Sequence, residues 1–276
     1  MFSLAPKAAA AAALVLLASS SASASTPSRG VGWPWFETTP ANALYSSGKT
    51  VWTYNWETYL PTGGSYSPME YVPMQRTADN IASLASASSV KTASWLLGFN
   101  EPDMSTSVGG SNISPTEAAK LWKQYIAPLR TSKRKLVAPA VSVSTAANQG
   151  YDWLKQFKAA CTGCVFDAYA IHPYASSAEQ VQDIIDTWID DYKVTPLWIT
   201  EFGVESAVAK TQGGKKFVES MIEYFNSKSS SVIARYAYIA RQAQSKSVTG
   251  QDLQYTNGTL RVMGKTYRDF SASATC

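Results

Sequence analysis

Eight short apolar segments recur along the chain with helix patterns between them, and this alternation most constrains the fold. The segments begin at Gly30, Val51, Glu70, Trp95, Lys135, Val165, Pro196 and Val232. Most are near-continuous apolar runs, which are typical of strands buried on both faces of a parallel sheet. In a chain of 276 residues, the alternation predicts a single-domain α/β fold, the (β/α)8 or TIM barrel. A doubly wound open sheet is the alternative, but no glycine-rich phosphate loop follows an early segment.

The N-terminal residues have the features of a secretory signal peptide. Lys7 precedes an apolar run that is too short to span a bilayer, and Ala22, Ser23 and Ala24 form a small-residue cleavage site. We therefore expect a signal peptide at residues 1–24, a short joint at 25–29 and one catalytic domain at 30–276. The mature protein is expected to be extracellular or in the cell wall, without a membrane partner.

Charge and composition argue against several classes of partner. The formal net charge is +4, and the Lys and Arg residues are scattered apart from the segment SKRKL that begins at Ser132. This pattern argues against a nucleic-acid-binding protein. The chain has one His and no carboxylate cluster at metal-ligand spacing, so we expect neither a metal nor another cofactor. A monomer is expected.

The cysteines and two asparagines agree with a secreted protein. Cys161 and Cys164 lie in the segment CTGC, and Cys276 is the last residue. In a secreted chain, C-x-x-C favours a short structural disulfide over redox or metal chemistry. Pairing of Cys276 with one of the other two stays open. Asn112 and Asn257 each begin an N-x-Ser/Thr sequon, which predicts glycosylation on surface loops.

Side chains at the ends of the predicted strands point to carbohydrate chemistry. In a barrel of this kind, the active site lies at the carboxyl ends of the strands. The residues found there are Trp33, Trp35, Tyr54, Asn55, Trp56, Asn100, Glu101, His172, Tyr174 and Glu201. Hydrolysis of a glycosidic bond needs one carboxyl group that protonates the leaving oxygen and another that attacks the anomeric carbon. Glu101 and Glu201 are isolated carboxylates that fit these roles, although each could also form a structural ion pair.

The aromatic and amide side chains in this set suit a sugar. Aromatic faces match the C–H faces of pyranose rings, and a neutral amide such as that of Asn55 matches hydroxyl groups. The aromatic residues of the first two strands alternate, so not all of them can face the site. We select Trp35 and Trp56. His172 and Tyr174 are expected to hold Glu201, with core filling as the alternative.

The order of the motifs GWPW, YNW, GFNEPD, HPY, WITEFG and NGTLRVMGKTY resembles glycoside hydrolase family 128 from Gly30 to Phe270. This family contains fungal-type β-1,3-glucanases of a retaining clan with (β/α)8 barrels. The resemblance implies that Glu101 is the acid/base, Glu201 the nucleophile and Asn100 the partner of the substrate 2-hydroxyl. Two motifs depart from the expected pattern: HPY lacks a Trp, and RYAYIA replaces an aromatic-rich end of the eighth strand. We expect Tyr238 to replace the missing sugar platform there.

The sequence therefore predicts a secreted, retaining, endo-type β-1,3-glucanase that hydrolyses cell-wall or storage glucan by double displacement. The two carboxyl groups are expected about 5–5.5 Å apart, which is too close for an inverting water. Two alternatives are kept. The first is a hydrolase of the same clan with another β-glycan as its substrate, and the second is a non-catalytic glucan-binding cell-wall protein.

Overall fold

The computed structural model describes residues 25–37, 41–60, 68–204, 213–240 and 252–271. Its strands are β1 (Ser28–Gly32), β2 (Thr50–Tyr54), β3 (Glu70–Tyr71), β4 (Trp95–Leu97), β5 (Lys135–Ser142), β6 (Ala168–His172), β7 (Tyr174–Ala175), β8 (Leu197–Ile199), β9 (Gly203–Val204) and β10 (Ile233–Ile239). Its α-helices are α1 (Asn42–Tyr45), α2 (Ser88–Thr92), α3 (Pro115–Leu121), α4 (Gly150–Ala160), α5 (Ala178–Asp190), α6 (Gly213–Ser227) and α7 (Val262–Asp269). Short 3-10 helices cover Ile81–Ser86, Thr106–Val108 and Ala127–Leu129, and a π-helical turn covers Trp122–Ile126.

Eight of the strands form one parallel sheet in the order β3-β2-β1-β10-β8-β6-β5-β4. Each of the eight predicted apolar segments overlaps one of these strands, so the prediction of the strands is confirmed. The two edges of the sheet also meet. The Leu97 N–H donates to the Pro73 carbonyl and the Gln75 N–H donates to the Leu97 carbonyl, both at 3.0 Å. The parallel sheet is therefore curled. Together with the helices it forms a mixed α/β fold that is consistent with the predicted (β/α)8 barrel.

Alternation along the strands separates two apolar layers. Inside the curled sheet, Trp52, Val137, Trp198 and Ala237 belong to one buried cluster. The outward-facing residues belong to a second cluster between the sheet and the helices, where Tyr236 of β10 stacks on Phe225 of α6. Side chains of one strand thus point alternately into the barrel and toward the helices, as the period of two requires.

The N-terminal boundary differs from the prediction. Ser28 and Arg29 belong to β1 and not to a joint. Arg29 is buried and donates hydrogen bonds to the carbonyls of Tyr267 and Phe270, at 2.5 and 3.0 Å. These contacts attach β1 to the C-terminal helix, so the strand begins earlier than its apolar run. The predicted signal peptide lies outside the described residues.

The cysteine prediction is confirmed for the nearby pair. Cys161 and Cys164 are joined by a disulfide directly after α4, and Cys276 lies outside the described residues. Asn112 and Asn257 are both exposed, and their glycosylation stays a prediction. In the described part of the chain, no helix combines the length and the hydrophobicity that crossing a bilayer requires.

Candidate active site

The ends of β4 and β8 bring Glu101 and Glu201 together, and their facing carboxylate oxygens lie within 4.8 Å of each other. Glu101 has a backbone φ of 40°, in the left-handed region that a residue other than glycine rarely adopts. Its N–H donates to the Ala140 carbonyl at 2.7 Å, and its carbonyl accepts from the Met104 N–H at 3.0 Å. These bonds hold the strained residue at the rim, which is the kind of place where functional strain occurs.

Two aromatic side chains donate to Glu201, one to each carboxylate oxygen. Trp56 Nε1 lies 2.8 Å from Oε1, and the Tyr174 hydroxyl lies 3.0 Å from Oε2. Burial raises the pKa of Glu201 above its ordinary value, His172 lowers it, the charge of Glu101 raises it, and the two donated hydrogen bonds lower it, with a net rise. The predicted placement of Tyr174 against Glu201 agrees with this structure, and Trp56 adds a second donor.

His172 lies between the two carboxylates and closer to Glu101 than to Glu201. Its Nδ1 is 3.0 Å from Glu101 Oε1 and 3.6 Å from Glu201 Oε1. Its Nε2 is 2.8 Å from the hydroxyl of Thr200. We expected His172 to hold Glu201, but its shorter contact is with Glu101. Because β6 and β8 are neighbours in register, the last residue of β6 faces the residue that follows β8.

Glycines in two of the family motifs leave room for the donors of Glu201. A Cβ on Gly32 would lie 2.8 Å from the ring of Trp56, and one on Gly203 would lie 2.8 Å from the ring of Tyr174. Real side chains do not approach so closely, so a larger residue at either position would displace an indole or a phenol. The glycines of GWPW and TEFG therefore serve the geometry of Glu201.

A cleft with a volume of about 490 Å³ opens over the carboxylates. Glu101 and Glu201 line it together with Trp35, Trp56, Arg76, Asn100, Val108 and Tyr174. Trp35 is half exposed. The Asn100 amide donates to the Gly109 carbonyl at 3.3 Å, while its Oδ1 has no hydrogen-bond partner within the described part of the chain. Trp35, Trp56, Tyr174 and Asn100 therefore line one cleft with the two carboxylates, and their contact with a substrate stays a prediction.

Two predicted substrate contacts are wrong in this structure. Asn55 is fully buried: its Oδ1 accepts from the Tyr71 hydroxyl at 2.6 Å, and its amide donates to the Tyr59 carbonyl at 2.9 Å. It holds the loop after β2. Tyr238 is buried against Phe202 in the layer between the sheet and the helices. Since Ala237 faces the barrel interior, its neighbour must face the other side.

Sequence reasoning missed Arg76 and Thr200. Arg76 follows the very short strand β3, lines the cleft and forms an ion pair with Glu57 at 3.3 Å. Arg76 could have been predicted, because it closely follows the third apolar segment, as the other candidate site residues follow theirs. Thr200 is adjacent to Glu201 in the motif WITEFG, but nothing in a single sequence shows that it contacts His172. Asp103 accepts hydrogen bonds from the N–H groups of Ser142 and Gly150, so it holds the end of β5 against the start of α4.

The same cluster could be considered as a cation site. In the described part of the chain, Glu101, His172 and Glu201 are close enough to share one ion. Their facing atoms are already hydrogen-bonded to one another, to Trp56 and to Tyr174. The cluster is therefore satisfied without an ion, and we interpret it as a site of proton transfer.

Comparisons with known proteins agree with carbohydrate chemistry. A family model described as "Glycosyl hydrolase catalytic core" matches residues 30–267. "Alkali-sensitive linkage protein 1" of Schizosaccharomyces pombe is 34% identical over 225 residues, which are 78% of this chain and 39% of that protein. The chain thus spans well under half the length of this curated relative.

Two solved structures are similar over nearly the whole chain. One is a glycoside hydrolase family 128 (subgroup II) endo-β-1,3-glucanase from Sorangium cellulosum, with 27% identity, a TM-score of 0.73, and 90% and 100% of the two chains covered. The other is a subgroup VII oligosaccharide-binding protein of the same family from Cryptococcus neoformans, with 26% identity, a TM-score of 0.67, and 88% and 92% covered.

Proposed function

Because the chain belongs to glycoside hydrolase family 128, we propose that it hydrolyses β-1,3-glucan as a secreted, retaining, endo-acting enzyme. In this proposal the residues from Ser28 onward form a single catalytic domain that acts as a monomer after removal of residues 1–24. The observation that supports it most directly is the approach of Glu101 and Glu201 within 4.8 Å at the floor of an aromatic cleft.

The separation of the carboxylates favours retention over inversion. Retaining glycosidases hold their two carboxyl groups about 5–5.5 Å apart, whereas inverting enzymes need about 6.5–9.5 Å to admit a water between them. Glu101 donates a proton to the glycosidic oxygen while Glu201 attacks the anomeric carbon, so that the C1–O bond breaks as the bond to Glu201 forms. Water then attacks C1, Glu101 takes its proton, and Glu201 leaves.

The hydrogen bonds support this division of roles. Glu201 receives one donor on each oxygen, which fixes the orientation of the carboxylate and partly offsets the rise in its pKa that burial causes. Among the described residues, the side chain of Glu101 has a hydrogen-bonding contact only with His172, on Oε1, which leaves its other oxygen for the substrate in this proposal. Trp35 then offers a half-exposed face for a sugar ring, and Asn100 lines the same cleft beside Glu101.

Product analysis tests the proposal. The purified protein is incubated with laminarin and, separately, with mannan, xylan and carboxymethylcellulose, and soluble products are sized over time. We expect a ladder of oligosaccharides from laminarin alone, with the β-anomer appearing first in NMR spectra. Glucose as the sole early product would show that the enzyme is exo-acting and not endo-acting. An α-anomer as the first product would refute the retaining mechanism.

The similarity to an oligosaccharide-binding protein makes binding without hydrolysis the second candidate. The presence of both Glu101 and Glu201 in hydrogen-bonded positions argues against a protein that only binds glucan. Co-sedimentation with insoluble β-1,3-glucan and no released sugar after prolonged incubation would favour the binding protein.

A further inference from the structure

The hydroxyl of Thr200 is buried, and its one acceptor among the described residues is a nitrogen of His172. Thr200 has no exposed surface, and its Oγ1 lies 2.8 Å from His172 Nε2. Within the described residues, this hydroxyl has no other hydrogen-bond partner. A buried hydroxyl hydrogen without an acceptor is costly. The hydroxyl therefore donates to Nε2, and Nε2 carries no proton of its own.

This assignment fixes the other nitrogen of His172. A neutral imidazole with a bare Nε2 carries its proton on Nδ1, and Nδ1 lies 3.0 Å from Glu101 Oε1. Glu101 Oε1 therefore accepts a hydrogen bond, and because a carbonyl oxygen is a stronger acceptor than a protonated oxygen, the acid proton of Glu101 is favoured on the other oxygen. The other oxygen of Glu101, Oε2, has no hydrogen-bond partner in the described part of the chain and belongs to a side chain that lines the cleft.

We propose that Thr200 is a positioning residue that holds His172 neutral with Nδ1 protonated, and that this places the acid proton of Glu101 on Oε2, where it meets the glycosidic oxygen. The inference rests on the proposed function and deepens it. No step is added to the reaction, because Thr200 and His172 keep their protons throughout. Their role is to decide which oxygen of the acid carries its proton.

The acidic groups around His172 explain why a residue such as Thr200 is needed to keep the imidazole neutral. Glu101 and Glu201 face the ring from the ends of β4 and β8, Asp103 adds a third negative charge, and Tyr54 and Tyr174 stay neutral because burial raises the pKa of each. Burial lowers the pKa of His172, but the three acidic residues raise it further, with a net rise. The carboxylates therefore favour an imidazolium ion. The hydroxyl that donates to Nε2 opposes it, since a proton on Nε2 would displace that hydrogen bond.

The single His of the chain makes a direct test possible. Untagged protein labelled with ¹⁵N-histidine has only two imidazole nitrogens, and their NMR shifts report which one is protonated. At neutral pH we expect a protonated Nδ1 and a bare Nε2. A protonated Nε2, with or without a proton on Nδ1, would overturn the proposal. This measurement needs no turnover, so a protein that hydrolyses no glucan would disprove the proposed function and still give an answer on His172.

Thr200→Val and its matched control Thr200→Ser extend the test to catalysis. Serine keeps the hydroxyl, so we expect a wild-type NMR pattern and kcat/KM. Valine removes one hydrogen bond, so we expect kcat to fall about tenfold with KM little changed. The basic limb of the kcat/KM profile should also move to lower pH, because an imidazolium beside Glu101 favours its carboxylate form. A wild-type profile in Thr200→Val, or equal losses in both variants, would contradict the role of the hydroxyl. If the valine variant does not fold, the serine variant and the NMR result decide.

Discussion

The two ends of the barrel interior both hold charged side chains, but they satisfy them in opposite ways. At the amino ends of the strands, Arg235 forms an ion pair with Glu70 at 2.7 Å, and its guanidinium lies over the ring of Trp198 at 4.5 Å. At the carboxyl ends, two carboxylates of the same sign approach within 4.8 Å around one imidazole. The first arrangement follows the rule that buried charges are paired with their opposites, and the second breaks it.

The difference locates the chemistry. The ion pair of Arg235 with Glu70 can stabilise the barrel, but it cannot act as an acid or a base, because a guanidinium paired with a carboxylate keeps its protons. Like charges held together by their surroundings favour proton sharing and perturbed pKa values, which are typical of active sites. The strained backbone of Glu101 also lies at the carboxyl end of the barrel, which is further evidence for a functional site there. We therefore expect substitutions at the amino end to change stability and substitutions at the carboxyl end to change activity.

The largest effect is expected for Glu201→Ala. This change removes the nucleophile, and turnover should fall by about 10⁴-fold or more on any glucan, as it does when covalent nucleophiles are removed elsewhere. Initial rates on laminarin and on an aryl β-glucoside measure the loss, and thermal unfolding checks that the variant is folded. Near-normal activity would assign the nucleophile to another carboxylate, such as Glu205, which lies outside the described residues.

Glu101→Ala should separate the two catalytic steps. Without the acid, hydrolysis of laminarin should fall by about 10²–10⁴-fold. A substrate with a good leaving group needs no proton, so the glycosyl-enzyme should still form and then break down slowly because the base is missing. A burst of aryl alcohol followed by a slow steady state is the expected trace. Equal losses on both substrates would contradict the assignment of Glu101 as the acid/base.

Arg235→Met tests the other end of the barrel. Methionine keeps much of the side-chain length but leaves Glu70 without its partner, and breaking a buried ion pair in this way costs about 3–5 kcal/mol. Because Glu70 is about one-third exposed, we expect a smaller loss of unfolding free energy, about 2–3 kcal/mol. Urea unfolding measures it. Below the unfolding transition, kcat should stay close to the wild-type value, and a large loss of kcat at full folding would break the comparison.

The strands of the barrel could be predicted from the sequence more completely than the contacts of its loops. The eight strands were predictable because buried parallel strands are continuous apolar runs, and Glu101 and Glu201 followed because each ends such a run. Tyr238 was misplaced although the information was present, since alternation from Ala237 places it toward the helices. Asn55 was not predictable, because its burial depends on Tyr59 and Tyr71, whose approach is a tertiary contact. The link between Thr200 and His172 is hidden for the same reason.

The smallest and sharpest test applies the same substitution to both ends. Glu201→Gln removes a charge that is raised in energy by burial and by Glu101, and Glu70→Gln removes a charge that Arg235 stabilises. The first should raise the free energy of unfolding and the second should lower it, each by about 0.5–2 kcal/mol at neutral pH. In the glutamine variant the amide oxygen can still accept from Trp56, and the Tyr174 hydroxyl can rotate to accept from the amide nitrogen.

The pH dependence of the Glu201→Gln effect follows from the direction of the pKa shift. The pKa of Glu201 is raised in the folded protein, so the folded state binds this proton more tightly than the unfolded state. The wild-type protein therefore has this contribution in full below the unfolded pKa and loses it as the pH rises through the folded pKa. Glutamine has no proton to lose. The stability gain of Glu201→Gln should consequently be smallest near pH 4 and grow toward neutral pH, whereas a gain that is constant with pH, or a loss at neutral pH, would show that Glu201 is as well stabilised as Glu70.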